Sequence, residues 1–286
     1  MASPRLLRGA SPWFIAQGSF GLVKIRYRSI LLSALTFSLL IAMVVTFVDE
    51  RIHTIEDALV TEVGISSEDF STRVEQGLVF SDEASARAFF EQLSKLGFPY
   101  HGSATTVTMI PVYVLRVAPY ALSLALFELC ILGLAFTYYL VFFLSPSASE
   151  IEAILRLPSA CVRMLGLCVW AFLRSMIWIP FIGPLVALYL VPRFALAPVF
   201  VLSGRSDILA SVTLSIHRTQ GMWVRTVLSI LLWFFLALIL LWSVVVLASI
   251  PTVFSPKIGY LVFLVGIQCI VAYTSAFVLV FTEITS

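Results

Sequence analysis

The chain has 286 residues, of which 60% are hydrophobic and 12% charged, and its mean hydropathy is +1.03. A water-soluble domain carries about 45–50% apolar and about 25% charged residues, so this composition excludes an ordinary soluble protein. The net charge of +2 gives no electrostatic ground for a nucleic-acid partner.

Residues 1–29 read as a basic interfacial leader. They combine Trp13, Phe14, Phe20 and Val23 with Lys24, Arg26 and Arg28, and aromatic and basic residues together suit a membrane surface. A short surface helix is expected here. A spanning helix needs about 20 mostly apolar residues. Residues 30–48 supply the first such run, which Asp49, Glu50 and Arg51 end. A cleaved signal peptide fits less well, because its apolar core is about 7–15 residues long and leads to a small-residue cleavage site.

Residues 49–104 hold eleven acidic and four basic residues, a net of −7. They read as an acidic extracytoplasmic helical segment with helices near 66–76 and 81–97. In the second of these, Ser81 caps the first turn and Gly97 supplies the exit. The segment is too small for a strong core of its own, and it offers a surface to a protein partner.

Residues 105–286 read as a five-helix membrane region. One span covers 118–144, with Pro119 in its first turn. The apolar stretch from Pro158 to Phe200 is too long for one span. Pro180, Gly183 and Pro184 break it, because proline removes a helical donor and glycine loosens the turn. The result is a hairpin of spans near 160–179 and 185–202. A polar turn at 203–207 leads to an amphipathic helix that Gly221 closes, and Ile208, Leu209, Val212, Leu214 and Ile216 form its apolar face. The last spans are 227–250 and 258–281. The fold class is therefore all-α: a polytopic membrane helix bundle of about six transmembrane helices, with short amphipathic connectors and a small helical extracytoplasmic segment.

Cys130, Cys161, Cys168 and Cys269 lie in or beside apolar runs without a CxxC pair and read as small buried hydrophobes. His53, His101 and His217 are far apart. Neither a metal site nor a cofactor is expected.

Cytoplasmic flanks favour Lys and Arg. With the N-terminus inside, one face receives Arg5, Arg8, Lys24, Arg26, Arg28, Arg156, Arg163, Arg205, Arg218 and Arg225. The other receives the acidic segment, Arg116 and Lys257. This places both termini in the cytoplasm and residues 49–104 outside.

A charge inside a bilayer costs about 2.5–3.5 kcal/mol on insertion scales. Arg163, Arg174 and Arg225 lie near span ends and can snorkel. Glu128 and Arg193 are deeper, at about 15 Å and about 12 Å from the outer ends of their spans at 1.5 Å per residue. They form a candidate intramembrane polar pair. It serves either as an ion pair locking the bundle or as a polar centre for an anionic substrate, a lipid head group or a proton. The third reading is that one side chain reaches water independently. Pro192 and Pro198 flank Arg193 and free backbone carbonyls, which makes this helix the irregular one.

The stretch from Ile179 to Leu240 resembles bacterial membrane proteins related to the membrane domain of glycerophosphoryl diester phosphodiesterases, and their stand-alone relatives. Pro180 and Gly183 match the family's helix break and Arg193 its following arginine. Ser215, Thr219, Gly221, Trp223 and Arg225 match its short helix before a Leu-rich span. The acidic 49–104 insertion departs from the pattern. The resemblance implies a six-helix membrane unit and carries no enzyme activity with it, because the phosphodiesterase chemistry belongs to a separate soluble domain.

Three functions are weighed. The chain shows no phosphate-binding glycine loop, metal-ligand set or nucleophile–base pattern. The first reading is accordingly a non-catalytic subunit, scaffold or envelope/lipid-homeostasis factor that works through membrane lipids and helix contacts. The alternative is a small transporter or lipid-handling carrier, since broken helices often line binding sites. The third is a membrane-embedded enzyme with Glu128 as its only deep acid.

Overall fold

The computed structural model describes residues 11–63, 112–144, 150–176, 190, 192–204 and 207–285. They form helices α1 (Pro12–Ile25), α2 (Tyr27–Val63), α3 (Val112–Leu144), α4 (Glu150–Met176), α5 (Ala197–Leu202), α6 (Ile208–Thr219), α7 (Trp223–Thr252) and α8 (Pro256–Thr285). No strand occurs among the described residues. Five helices (α2, α3, α4, α7 and α8) are long and apolar enough to cross a bilayer, as in an integral membrane protein. The expected helices of the acidic segment and the break at Pro180, Gly183 and Pro184 lie outside the described residues.

Several sequence-based boundaries change. The charged triplet at 49–51 ends the apolar run of α2 but not the helix, which continues to Val63. Asp49 pairs with His53 one turn on, at 3.7 Å, on an exposed face where charge is solvated. The third span was expected from residue 160, yet α4 starts at Glu150. Glu150 and Glu152 suit the positive end of the helix, and Glu152 pairs with Arg156. Pro158 is accommodated inside the helix. The expected span at 185–202 appears among the described residues only as the short apolar piece Pro192–Leu202. It is interrupted by a turn at Ala195 and Leu196. The runs 118–144, 227–250 and 258–281 lie within the longer helices α3, α7 and α8.

Clustering of contacts divides the chain into two compact units, 1–40 with 130–286, and 41–129. In the first unit, the core surrounds the end of α3. Tyr138, Tyr139, Leu140, Val141, Phe142 and Phe143 are all buried, with Ala272, Ala276 and Leu279 of α8, Ile30 of α2, and Ala153 and Ala160 of α4. Alanines on α4 and α8 let the neighbouring helices approach this end of α3 closely. Ser33 Oγ donates to the Tyr139 hydroxyl at 3.2 Å. Ser275 Oγ donates to the Phe136 carbonyl at 3.3 Å.

The leader is more than a surface helix. Ser11 caps α1 by accepting from the Phe14 amide, and Pro12 occupies its first turn. Ile15 is fully buried among Leu196, Phe277, Val280, Phe281 and Ile284, while Trp13 and Phe14 stay exposed. The α1 helix is thus anchored to α8 through one face and offers aromatic rings on the other.

The second unit holds the part of α2 from Ile41 onward and the first part of α3. Thr54 Oγ1 donates to the Glu50 carbonyl at 2.7 Å, and the Arg51 guanidinium lies 5.8 Å from the Phe47 ring. Pro119 lies inside α3 rather than in its first turn, because that helix begins at Val112. Glu128 sits here, half-buried.

Candidate functional site

A helix that crosses lipid can present polar groups only where a neighbour or an opening receives them. In α4, Arg163, Gly166, Trp170 and Arg174 recur at a spacing of three or four residues and therefore share one face. Opposite that face, the chain turns from α5 into α6. Arg163, Gly166 and Trp170 line a cleft of about 930 Å³ together with Val201, Gly204, Asp207, Ile208, Leu209 and Ala210.

The cleft has an apolar floor of Met164, Leu167, Ala197, Val201 and Val212. Gly166 lets α6 approach: a Cβ there would stand 2.7 Å from Ile208 Cδ1. At the mouth, Gly204 takes φ +69, a left-handed conformation that suits glycine, and a Cβ on it would lie 3.4 Å from Arg163 Nη1. Trp170 meets Phe194 edge-on at 5.6 Å, and the Arg174 guanidinium lies 5.6 Å from the Trp170 ring. Asp207 is the N-cap residue of α6, but its carboxylate makes no capping bond. Arg163 and Asp207 are both exposed and are not joined by an ion pair.

The buried face of α6 is not the same as its apolar face. It consists of Ser211, Val212, Ser215 and Thr219, while Leu209 and Leu214 point outward. Hydroxyl side chains can face a neighbour because they find backbone acceptors. Thr219 donates to the Ser215 carbonyl at 2.9 Å, and Ser215 donates to the Arg193 carbonyl at 2.6 Å. The second bond ties α6 to Arg193, just before the turn at Ala195 and Leu196 that interrupts the chain ahead of α5. Gly221 then turns the chain at φ +80, and Trp223 opens α7.

Arg193, half-buried, belongs to the first unit, whereas Glu128 belongs to the second; their pairing is carried forward as a proposal. Of the cysteines read as buried, Cys130 and Cys168 are exposed and Cys161 and Cys269 are partly so. On a spanning helix an outward cysteine meets hydrocarbon, which suits its weak polarity as well as a core does. Among the described residues, no group of three or more His, Cys, Asp or Glu could hold a metal ion.

The sequence marked Arg163 as a basic flank residue able to snorkel, and it did not single out Trp170 or Asp207. The available signal was the helical spacing from Arg163 to Arg174. The chain matches no family model, no curated protein and no solved structure.

Proposed function

We propose that the protein is a non-catalytic integral membrane protein, a subunit or scaffold in envelope or lipid homeostasis that works through helix and lipid contacts. The observation that carries this reading is the surface of α7. Along its 30 residues only Thr226, Ser229 and Ala248 are buried. Phe234, Phe235, Ile239, Trp242, Val246 and Ile250 all face outward. A spanning helix with so little of its apolar surface covered by the described residues is suited to meet lipid or another membrane helix.

The reading extends to a six-helix topology in a bacterial inner membrane, with a further span near 185–202, both termini cytoplasmic and residues 49–104 outside as a docking surface for a protein partner. Supporting it are the basic residues at one set of helix ends and the acidic segment between the first two spans. The kinship with the membrane domain of glycerophosphoryl diester phosphodiesterases is part of the same proposal. In its favour, Ser215, Thr219, Gly221 and Trp223 gather at the single α6–α7 corner.

A photo-crosslinking residue at Phe235 or Trp242, activated in intact membranes, tests this reading. Adducts to one protein band or to phospholipid are expected. A face that labels neither would refute it.

A second reading, a small lipid or solute carrier, is favoured by the helix interruption at Ala195 and Leu196 next to Arg193. Its polar centre would be Glu128 with Arg193. On this reading the single changes Glu128→Gln and Arg193→Leu each impair folding more than the double change does, and harmless, additive singles would exclude the pair.

A further inference from the structure

We propose that the cleft between α4 and the α5–α6 corner binds the head group of an amine-bearing zwitterionic phospholipid, with the phosphate on Arg163 and the ammonium on Asp207. Arg163 stands within the apolar run of a spanning helix, seven residues beyond Arg156 and thus about 10 Å along the axis. Its guanidinium makes no hydrogen bond or ion pair among the described residues. An arginine so placed gains most from a phosphate, which accepts two parallel hydrogen bonds from its fork.

Asp207 lines the same cleft, neither caps its own helix nor neutralises Arg163, and stays exposed. Among the described lining residues the cleft therefore offers one positive and one negative group, not joined to each other. A purely anionic head group would meet the Asp207 carboxylate unfavourably, and a choline head group has no N–H to give it. A primary ammonium beside a phosphate satisfies both.

The rest of the cleft suits a lipid rather than a soluble zwitterion. Trp170 lies two turns further along α4, and outward-facing Leu209 borders the opening. Acyl chains thus have an aromatic and aliphatic path continuous with the bilayer.

This inference rests on the reading of the chain as a lipid-contacting membrane protein. The test uses the full chain in nanodiscs containing phosphatidylethanolamine, phosphatidylglycerol or phosphatidylcholine in equal amounts, with retained lipid counted by native mass spectrometry. Phosphatidylethanolamine should be retained preferentially. Arg163→Gln should lower its retention by about tenfold, the scale of one charge-assisted contact. Asp207→Asn keeps a good helix cap and should erase the preference over phosphatidylcholine while leaving retention itself. Soluble phosphoethanolamine should fail to displace the lipid at equal concentration.

Preference for phosphatidylglycerol, retention unmoved by both variants, or displacement by phosphoethanolamine would overturn the site and leave the broader reading standing. Absence of any retained lipid would overturn both. Should Arg163→Gln fail to fold, a phosphatidylethanolamine with a photoreactive head group decides on the unaltered chain: adducts must fall on peptides of α4 or α6.

Discussion

Arg26 Nη1 donates to the Phe142 carbonyl at 2.7 Å, and its guanidinium carbon lies 4.7 Å from the ring of the same phenylalanine. Since α3 ends at Leu144, the Phe142 carbonyl is among the last four of that helix, which find no donor within it. A cation there also meets the negative end of the helix dipole. Arg26 is itself the hinge residue between α1 and α2, with φ −113 and ψ 19. One side chain thus fixes the leader corner and closes a buried helix end. Arg26→Leu is expected to cost about 2–3 kcal/mol, the sum of a charged hydrogen bond and a cation–π contact. Arg26→Lys should recover less than half, because an ammonium cannot both stack and donate in the same geometry. Thermal midpoints in one detergent measure this, and equal midpoints for all three proteins would show that the corner is held by other contacts.

The α7–α8 hairpin depends on missing side chains. A Cβ on Gly266 would fall on the Val244 side chain, and one on Gly259 would strike Thr252. Membrane helices lacking a hydrophobic force between them associate through such close approach. Gly266→Ala should cost about 1–3 kcal/mol as overpacking. Adding Val244→Ala should restore more than half of the loss, because the two changes meet at one point. A neutral Gly266→Ala, or a double change no better than the single, would mean that the helices stand further apart.

Ser215 holds α6 to the chain before α5 through the Arg193 carbonyl. Ser215→Ala leaves a carbonyl short of a donor in apolar surroundings, at a cost of about 1–3 kcal/mol, while Ser215→Thr keeps the hydroxyl. Hydrogen exchange across residues 208–219 should quicken in the alanine variant and stay near the original rate in the threonine variant. Unchanged exchange in both would leave α6 held by its apolar floor alone.

The long spans were legible because one quantity, apolar length, decides them: α2, α3, α7 and α8 each contain the expected run. The prolines beside Arg193 likewise announced the irregular backbone there. The start of α4 was hidden because its first turns are charged and Pro158 looks like a boundary, whereas the preceding acidic residues stabilise a helix that begins earlier. The buried face of α6 could not be told from its apolar face alone. In lipid, large aliphatic residues can face outward while small hydroxyl residues bury themselves against backbone acceptors. The cleft was beyond a linear reading for a related reason. Its walls come from α4 and the α5–α6 corner, joined by the empty side of Gly166, and neither wall states that it faces the other.

Gln268 lies near the middle of α8, has 0% exposure, and has no partner among the described residues for either its oxygen or its nitrogen. Burying an amide in this state costs about 1–3 kcal/mol judged from protein substitutions. Leucine is similar in volume and carries no polar atom, so Gln268→Leu should keep or raise the thermal midpoint. Gln268→Ala removes the polar atoms but leaves a cavity and should lower the midpoint by the equivalent of about 2–4 kcal/mol. The two variants therefore separate polarity from volume. If leucine destabilises as much as alanine does, the amide is satisfied in the folded protein, and Gln268 is then a built polar point at the centre of the bundle rather than a tolerated defect. If leucine stabilises, retention of glutamine at that cost makes function, not folding, the reason to examine what Gln268 meets in the membrane.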